Sequence, residues 1–442
     1  DYLEAFSSLY GERGFKRLWK EGRVFHNAEY TFSGVDRASA MAAIYSGSTP
    51  SVNGIISNRW MDVATLRPVN STDDAAFMGY YTDQTCAPTK LLTSTIADEL
   101  KIATQGKGIV YAIAPFCDAA IFAAGHAGNG AFWINPTTGK WSGTTYYGEF
   151  PWWASQYNDR QAIDSRISSV TWEPVFPRGM YTFLPDWRDV VFKYKLALTY
   201  YAGNYAHKSV QECAMEIQDT YVRLDRSIAN LLDLLDKKVG LQNVLIFVTS
   251  TGYTDSESTD SGLYKIPTGE FHLNRCTALL NMFLMATYGE GKYVEAYHDQ
   301  QIYLNHKLLE QKQLNLTEVQ EKSADFLMQF SGVNEAYSAH RLLLGSWTPE
   351  IYRIRNGYHR KRSGDLVIDV LPGWTIVSEN GNENKVVRHS YIPAPLIFMG
   401  HSVKPAIIQT PVTIDHIAPT LAHFMRIRAP NASSSAPITD LR

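Results

Sequence analysis

Several groupings of side chains in this sequence have the types and spacing that chemistry uses. Thr249-Ser250-Thr251-Gly252 closes the apolar run 244–249 with three hydroxyls and a glycine, the composition of a loop that cradles phosphate. Ser, Thr and Gly after a strand are also the ordinary makings of a turn, and a turn is the expectation here. Asp255, Glu257 and Asp260, and the adjacent Asp73-Asp74, offer hard oxygen donors for Ca²⁺. Neither group has the loop spacing that wraps the ion, so both read as solvated acidic loops. His359-Arg360-Lys361-Arg362 is a short basic run, read as a solvated loop. His207 stands alone, and a single imidazole holds zinc weakly, so a structural or surface role is expected for it. Cys86, Cys117, Cys213 and Cys276 lie far apart without a C-x-x-C spacing, which excludes zinc-finger and thioredoxin chemistry. One disulfide and four buried thiols both remain open. The Asn-x-Ser/Thr sites at Asn70, Asn315 and Asn431 carry little weight.

The elements that must position these groups alternate between short β-branched runs and helical patterns. Runs at 108–114, 196–201, 244–249, 365–371 and 395–399 read as strands, and their unbroken apolar character implies burial on both faces. Val222, Ile228, Leu231, Leu232 and Leu235 recur at helical spacing and predict a helix over 216–238 stopped by Gly240. The stretch 276–288 is apolar nearly all round and predicts a buried helix; the more polar 293–335 is expected at the periphery, and 431–442 as a loose tail. The fold class is α/β: a doubly wound, mostly parallel sheet with helices on both faces plus an inserted cap. One domain over 1–442 is expected, with cap elements at about 60–185.

Composition narrows the function. The 442 residues carry 41 Lys+Arg and 44 Asp+Glu, a net charge of −3, so no electrostatic footprint for nucleic acid or an anionic membrane exists. No apolar run is long enough to span a bilayer. The chain opens on Asp1 without a signal segment, so any membrane attachment is expected only through a leader preceding it. Aromatics reach 12%, and Tyr146, Tyr147, Trp152 and Trp153 cluster after Gly143. Two adjacent indoles behind Pro151 are hard to bury together, which makes this stretch the candidate contact surface.

Three segments, in order along the chain, carry a resemblance. The first is Gly14-Phe15-Lys16-Arg17-Leu18 followed by Ile44-Tyr45-Ser46-Gly47-Ser48-Thr49-Pro50 and Gly54-Ile55-Ile56-Ser57-Asn58-Arg59-Trp60. The second is Leu91 to Leu100 with Ala124-Gly125-His126 and Ala131-Phe132-Trp133. The third joins Asp219-Thr220-Tyr221-Val222-Arg223-Leu224-Asp225, Arg362-Ser363-Gly364-Asp365, Pro372-Gly373-Trp374, Pro395-Leu396-Ile397 and Asp415 to Leu421. Together they resemble the alkaline phosphatase superfamily, in the branch of threonine-nucleophile bacterial alkaline phosphatases and nucleotide pyrophosphatase/phosphodiesterases. The resemblance implies two zinc ions held by Asp and His, a Thr or Ser nucleophile, and in monoesterases a Lys-x-Arg clamp on the phosphate.

Carried over position by position, that machinery is missing. The nucleophile's place is Arg37, which cannot be deprotonated to attack phosphorus; Ser33 and Ser39 are the nearest hydroxyls. Thr249, Ser250 and Thr251 stand where an Asp-His ligand pair is implied, Gly203 where an Asp is implied, and only His207 keeps its type. A late His falls near Lys385, and the clamp positions read Phe116 and Asp118. Arg37 is expected to pair with Asp36 or Asp118. The leading expectation is therefore a catalytically inactive member acting as a binding or scaffolding subunit for other envelope proteins, through its aromatic surface and with no cofactor. A working metal-dependent phosphatase or phosphodiesterase with a rearranged site, using Ser39 or Ser33, His207 and zinc, is the alternative, and an anion-binding protein using the emptied pocket a further one. The resemblance implies a periplasmic or outer-envelope location in a Gram-negative bacterium.

Overall fold

A computed structural model describes residues 2–160, 171–181, 194–195, 210–252, 268–346, 348–377, 385–387 and 393–441. Its main sheet runs Leu245–Val248, Pro393–Gly400, Arg23–Glu29, Ala406–Ile408, with Val412–Thr413 also pairing along Arg23–Glu29. Leu396 and Phe398 face one core while Ile397 and Met399 face another, the strand alternation that buries an unbroken apolar run on both sides. Helices Arg37–Ser46 and Ile417–Met425 cover the first face, Phe15–Glu21 and Val210–Lys238 the second. The expected α/β architecture is present. The sheet is mixed, however, because Pro393–Gly400 runs antiparallel to both Arg23–Glu29 and Leu245–Val248. Residues 401–405 are too few for a crossover helix, so the chain reverses before Ala406–Ile408, which is parallel to Arg23–Glu29.

Helix Phe15–Glu21 shows how the first motif is held. The Asp225 carboxylate accepts the amides of Phe15 (2.7 Å) and Gly11 (2.9 Å), satisfying two otherwise orphaned donors. A Cβ on Gly14 would stand 2.1 Å from Asp225 Oδ1, so only glycine lets the two segments meet.

Three expectations change. Residues 293–335 are not peripheral: Val294–His298, Gln301–Leu304, Leu366–Val370 and Val333–Ser338 form a second, antiparallel sheet, with Tyr293, Ile302, Val319 and Leu327 fully buried beneath helices Leu273–Tyr288 and Leu316–Leu327. Lys307, Gln311, Gln313 and Lys322, which suggested a polar segment, are exposed or half-buried at the outward positions of an amphipathic pattern, while Gln320 is buried and donates to Asp365 Oδ1 at 2.9 Å. Helix Leu273–Tyr288 buries Leu280 and Leu284, but Leu279 and Met282 are 45% and 64% exposed. The tail 431–441 is fastened, since Asn431 N–H donates to Ser94 Oγ, Ile438 N–H to Thr420 Oγ1 and Lys404 N–H to the Leu441 carbonyl. The predicted strand 196–201 lies outside the described residues.

Residues 59–144 contain the hairpin Arg59–Asp62/Arg67–Asn70 and a sheet ordered Gly79–Tyr80, Trp141–Thr144, Gly130–Ile134, Tyr111–Ile113. Helix Cys117–Ala124 follows the last of these in space and packs on Arg37–Ser46.

Candidate functional site

Arg23–Glu29 and Leu245–Val248 are parallel to each other, so their carboxyl ends open on the same side of the sheet, where open α/β sheets place ligands. Tyr30 ties the two ends together by donating its hydroxyl to the Ser250 carbonyl at 2.6 Å. Past Tyr30 the chain turns into helix Arg37–Ser46 through a capping box. Asp36 Oδ1 accepts from Ser39 N–H (2.9 Å), and Ser39 Oγ accepts from Asp36 N–H (3.0 Å). Ser39 is fully buried and its hydroxyl is used in this cap, which leaves it no part as a nucleophile. Ser33 is half-buried, its amide bonded to the Arg353 carbonyl.

Ala38, Ala42, Ala120 and Ala124 line the contact between helices Arg37–Ser46 and Cys117–Ala124. Such small side chains let two backbones approach closely and bring the two first turns face to face. Arg37 Nε donates to both Asp118 oxygens, at 2.9 and 3.0 Å, and its guanidinium carbon lies 3.8 Å from the Phe116 ring centroid. The Asp118 side chain is only 6% exposed and that of Arg37 31%. A cation at a helix N-terminus opposes the helix dipole, whereas Asp118 in the neighbouring first turn is favoured by it, so the pair also neutralises the misplaced charge. The structure thus brings Arg37, Phe116 and Asp118 into one contact, with Asp118 rather than Asp36 as the partner of Arg37.

The remaining candidates divide. Ser250 Oγ donates to the Gly252 carbonyl at 3.2 Å, a turn bond, while Thr249 Oγ1 is buried with no partner among the described residues. Lys385 lies in a short strand paired with Thr375–Ile376, in a small sheet separate from the main one. Gly203 and His207 lie outside the described residues, as do Asp255, Glu257 and Asp260. Asp73 and Asp74 are turn residues: Asp73 accepts the Asn70 amide, and bonds from Ala76 N–H and Thr89 Oγ1 hold the Asp74 carboxyl below its ordinary range. Among the candidate contact residues, Tyr147 donates to the Gly125 carbonyl (2.6 Å), and Tyr146 packs edge-on to Phe77 and Tyr147. Trp152 and Trp153 begin helix Trp152–Asp159 rather than sitting on irregular backbone, because Pro151 is its N-cap; they are 75% and 39% exposed.

Two further features gain a physical reason from the structure. Cys86 and Cys117 form a disulfide, 31 residues apart, that anchors the turn of chain just before Asp118; Cys276 is a buried free thiol. The second motif is explained by Asp98, which accepts from Thr95 N–H (2.7 Å), Ala127 N–H (2.7 Å) and the His126 ring (3.2 Å). The bond to Asp98 raises the His126 pKa, and for Asp98 burial is outweighed by these hydrogen bonds, which lower it.

Among the described residues no three of His, Cys, Asp and Glu are grouped so as to hold a metal ion. Asp118 is occupied by Arg37, and Asp36 by the capping box and the Asn58 amide. The described residues do not fit a zinc pair, and no step through one is derived.

Comparison with known proteins supplies the wider context. The family profile of type I phosphodiesterase / nucleotide pyrophosphatase matches residues 1–392. Alkaline phosphatase PafA of Elizabethkingia meningoseptica is 28% identical over 507 aligned positions, covering 100% of this chain and 92% of that protein. Alkaline phosphatase PhoV of Synechococcus elongatus is 26% identical over 505, covering 100% and 90%. The crystal structure of wild-type PafA superposes with a TM-score of 0.86 at 27% identity, covering 100% of this chain and 96% of that one. These relatives overturn the expectation of no cofactor: they are alkaline phosphatases matched over the whole chain, and zinc is the chemistry that the resemblance implies for such enzymes. The chain belongs to the type I phosphodiesterase / nucleotide pyrophosphatase family, within the alkaline phosphatase superfamily.

Proposed function

We propose that this chain keeps the fold of a phosphoric ester hydrolase but does not transfer phosphoryl groups through position 37, and that it serves as a binding subunit in a bacterial cell envelope. One observation carries the reading: the residue at the nucleophile's position is Arg37, held by a two-oxygen bond to the buried Asp118 and lying over Phe116. A guanidinium has no lone pair to offer phosphorus and no accessible deprotonated form. Asp118 at a clamp position would repel a phosphate dianion. The reading concerns the nucleophile and holds whatever metal the protein carries. The Cys86–Cys117 disulfide supports an oxidising compartment such as the periplasm. Exposed Trp152, Tyr111 (49%) and Ile113 (62%), joined through the Trp153–Tyr111 ring contact at 6.0 Å, support an apolar contact surface for other envelope proteins.

A second reading, a metal-dependent phosphatase or phosphodiesterase with a rearranged site, is favoured by the whole-chain similarity to alkaline phosphatases. With Ser39 committed to its cap, this reading needs Ser33 or a group outside the described residues. One experiment separates the two. The purified protein, supplied with zinc, is assayed with p-nitrophenyl phosphate and bis-p-nitrophenyl phosphate, with and without a chelator. The first reading expects release no faster than buffer. Turnover that the chelator abolishes, and that a Ser33→Ala variant loses, would establish the second.

A further inference from the structure

A cavity of about 420 Å³ lies between the cap hairpin and the basic segment after helix Pro349–Gly357. His359, Arg360, Lys361, Arg362 and Lys90 line it, with Trp60 as part of its floor. Its one lining carboxylate, Asp62, is turned to its own loop, where Oδ1 accepts from Ala64 N–H, Thr65 N–H and Thr65 Oγ1. Arg360, Lys361 and Arg362 form no ion pair among the described residues. Arg362 instead donates to the Gly54 carbonyl and lies 5.1 Å over the Trp60 ring, which fixes its plane at the cavity wall. Lys90 donates to the Asp73 carbonyl, and burial lowers its pKa.

His359 adds a donor that nothing uses. It is 9% exposed; its Nδ1 accepts from Lys361 N–H (3.4 Å), so the neutral ring carries its proton on Nε2, which has no partner among the described residues. Burial, then Arg362, Arg360 and Lys361, push its pKa down to about 4. Forked guanidinium donors match the tetrahedral oxygens of phosphate, and the His359 Nε2–H is a further donor available to such a group. The space exceeds one tetrahedral anion, and Met61, Val63 and Leu92 give it an apolar wall.

We propose that this cavity binds a phosphate-type oxyanion, free or as the terminal group of a small phosphorylated molecule, independently of the Arg37 position. The proposal does not rest on the reading above: it stands whether or not the protein hydrolyses esters.

Calorimetric titration of the intact protein with inorganic phosphate, and separately with phenylphosphonate, tests it. Binding is expected to weaken on raising salt. Arg360 and Lys361 are exposed and their replacement spares the fold, so R360Q/K361Q is expected to weaken binding about tenfold per lost cation, about 1.4 kcal/mol each. R37M should leave affinity within about twofold. In histidine-labelled protein, saturating phosphate should raise the titration midpoint of the His359 ring. Tighter binding of phenylphosphonate than phosphate would identify a phosphorylated organic ligand, and the reverse order the free ion. No binding at millimolar phosphate, binding unchanged in R360Q/K361Q, or binding lost in R37M would each overturn the proposal.

Discussion

If Arg37 and Asp118 form a closed pair, the two should be strongly and asymmetrically coupled in stability. Asp118 is 6% exposed, so Arg37→Met strands a carboxylate that is largely shielded from water. Breaking a buried pair from one side typically costs 3–5 kcal/mol. Since Arg37 is 31% exposed, the site is not fully sealed, and about 3 kcal/mol is the expected loss. Asp118→Leu strands the guanidinium instead, but that group is partly hydrated and keeps its contact with the Phe116 ring, so about 2 kcal/mol is expected. R37M/D118L removes both charges and replaces them with apolar side chains of similar reach, and should cost no more than about 2 kcal/mol. The interaction energy of the cycle is then about −3 kcal/mol, at the upper end for residues in contact. Urea unfolding followed by circular dichroism supplies all four stabilities, compared at constant m. A coupling within about 0.5 kcal/mol of zero, or R37M costing less than D118L, would refute the assignment of Arg37 to a closed structural pair.

Other perturbations test the frame around that pair. Reducing Cys86–Cys117 opens a 31-residue loop and should cost about 3.7 kcal/mol by loop-closure entropy, seen as a lower urea midpoint in reducing agent that a C86S/C117S variant reproduces without it. His126→Asn should destabilise by about 1 kcal/mol near pH 5.5 and by less at pH 9. The His126 pKa is raised, so its contribution is complete below the unfolded value near 6.5 and fades as pH climbs through the folded one; that of Asp98, whose pKa is lowered, is present above about 3.8 and fades as pH falls. Equal losses at both pH values would remove the Asp98–His126 bond as the cause. Gly14→Ala should cost about 2 kcal/mol or more, because its Cβ would stand 2.1 Å from Asp225 Oδ1, and Asp225→Ala added to it should relieve part of that clash in the same unfolding assay.

The architecture was legible where periodicity and burial coincide. Leu396 to Met399 form an unbroken apolar run because the strand faces two cores, and that alone placed it in a helix-covered sheet. Direction was not legible: pairing sense depends on the length of the links, here residues 401–405, and no side-chain pattern records it. The second core was not legible because Ile302, Val319 and Leu327 are spread among polar residues, outward Lys307 and Lys322 and a buried, hydrogen-bonded Gln320, so that a mean polarity hides the amphipathic elements. At the candidate site, the arginine at position 37 was visible in the residue type, but its partner was not. Asp36 and Asp118 were equivalent by charge, and only the alanine contact between two helices selects Asp118. The disulfide has no spacing signature, since Cys86 and Cys117 meet across 31 residues of chain rather than in a local turn.

The chemistry of the pair bears on how such a site is changed. The resemblance implies a neutral hydroxyl at position 37 and cations at the two clamp positions; this chain has a cation at 37, an aromatic ring at 116 and an anion at 118. Each charge alone would be a liability in this place. Arg37 at a helix N-terminus meets the positive end of the dipole, and Asp118 without a cation would be a buried, unbonded carboxylate. Together they cancel, with Phe116 packed against the guanidinium to exclude water from the contact. The consequence is that single reversions run uphill. Arg37→Thr places a hydroxyl at position 37 but leaves Asp118 buried without its partner, so its first effect is on stability, and the freed carboxylate would repel a phosphate brought to that hydroxyl. Arg37, Phe116 and Asp118 hold as a set, because each makes its contact only while the other two are in place.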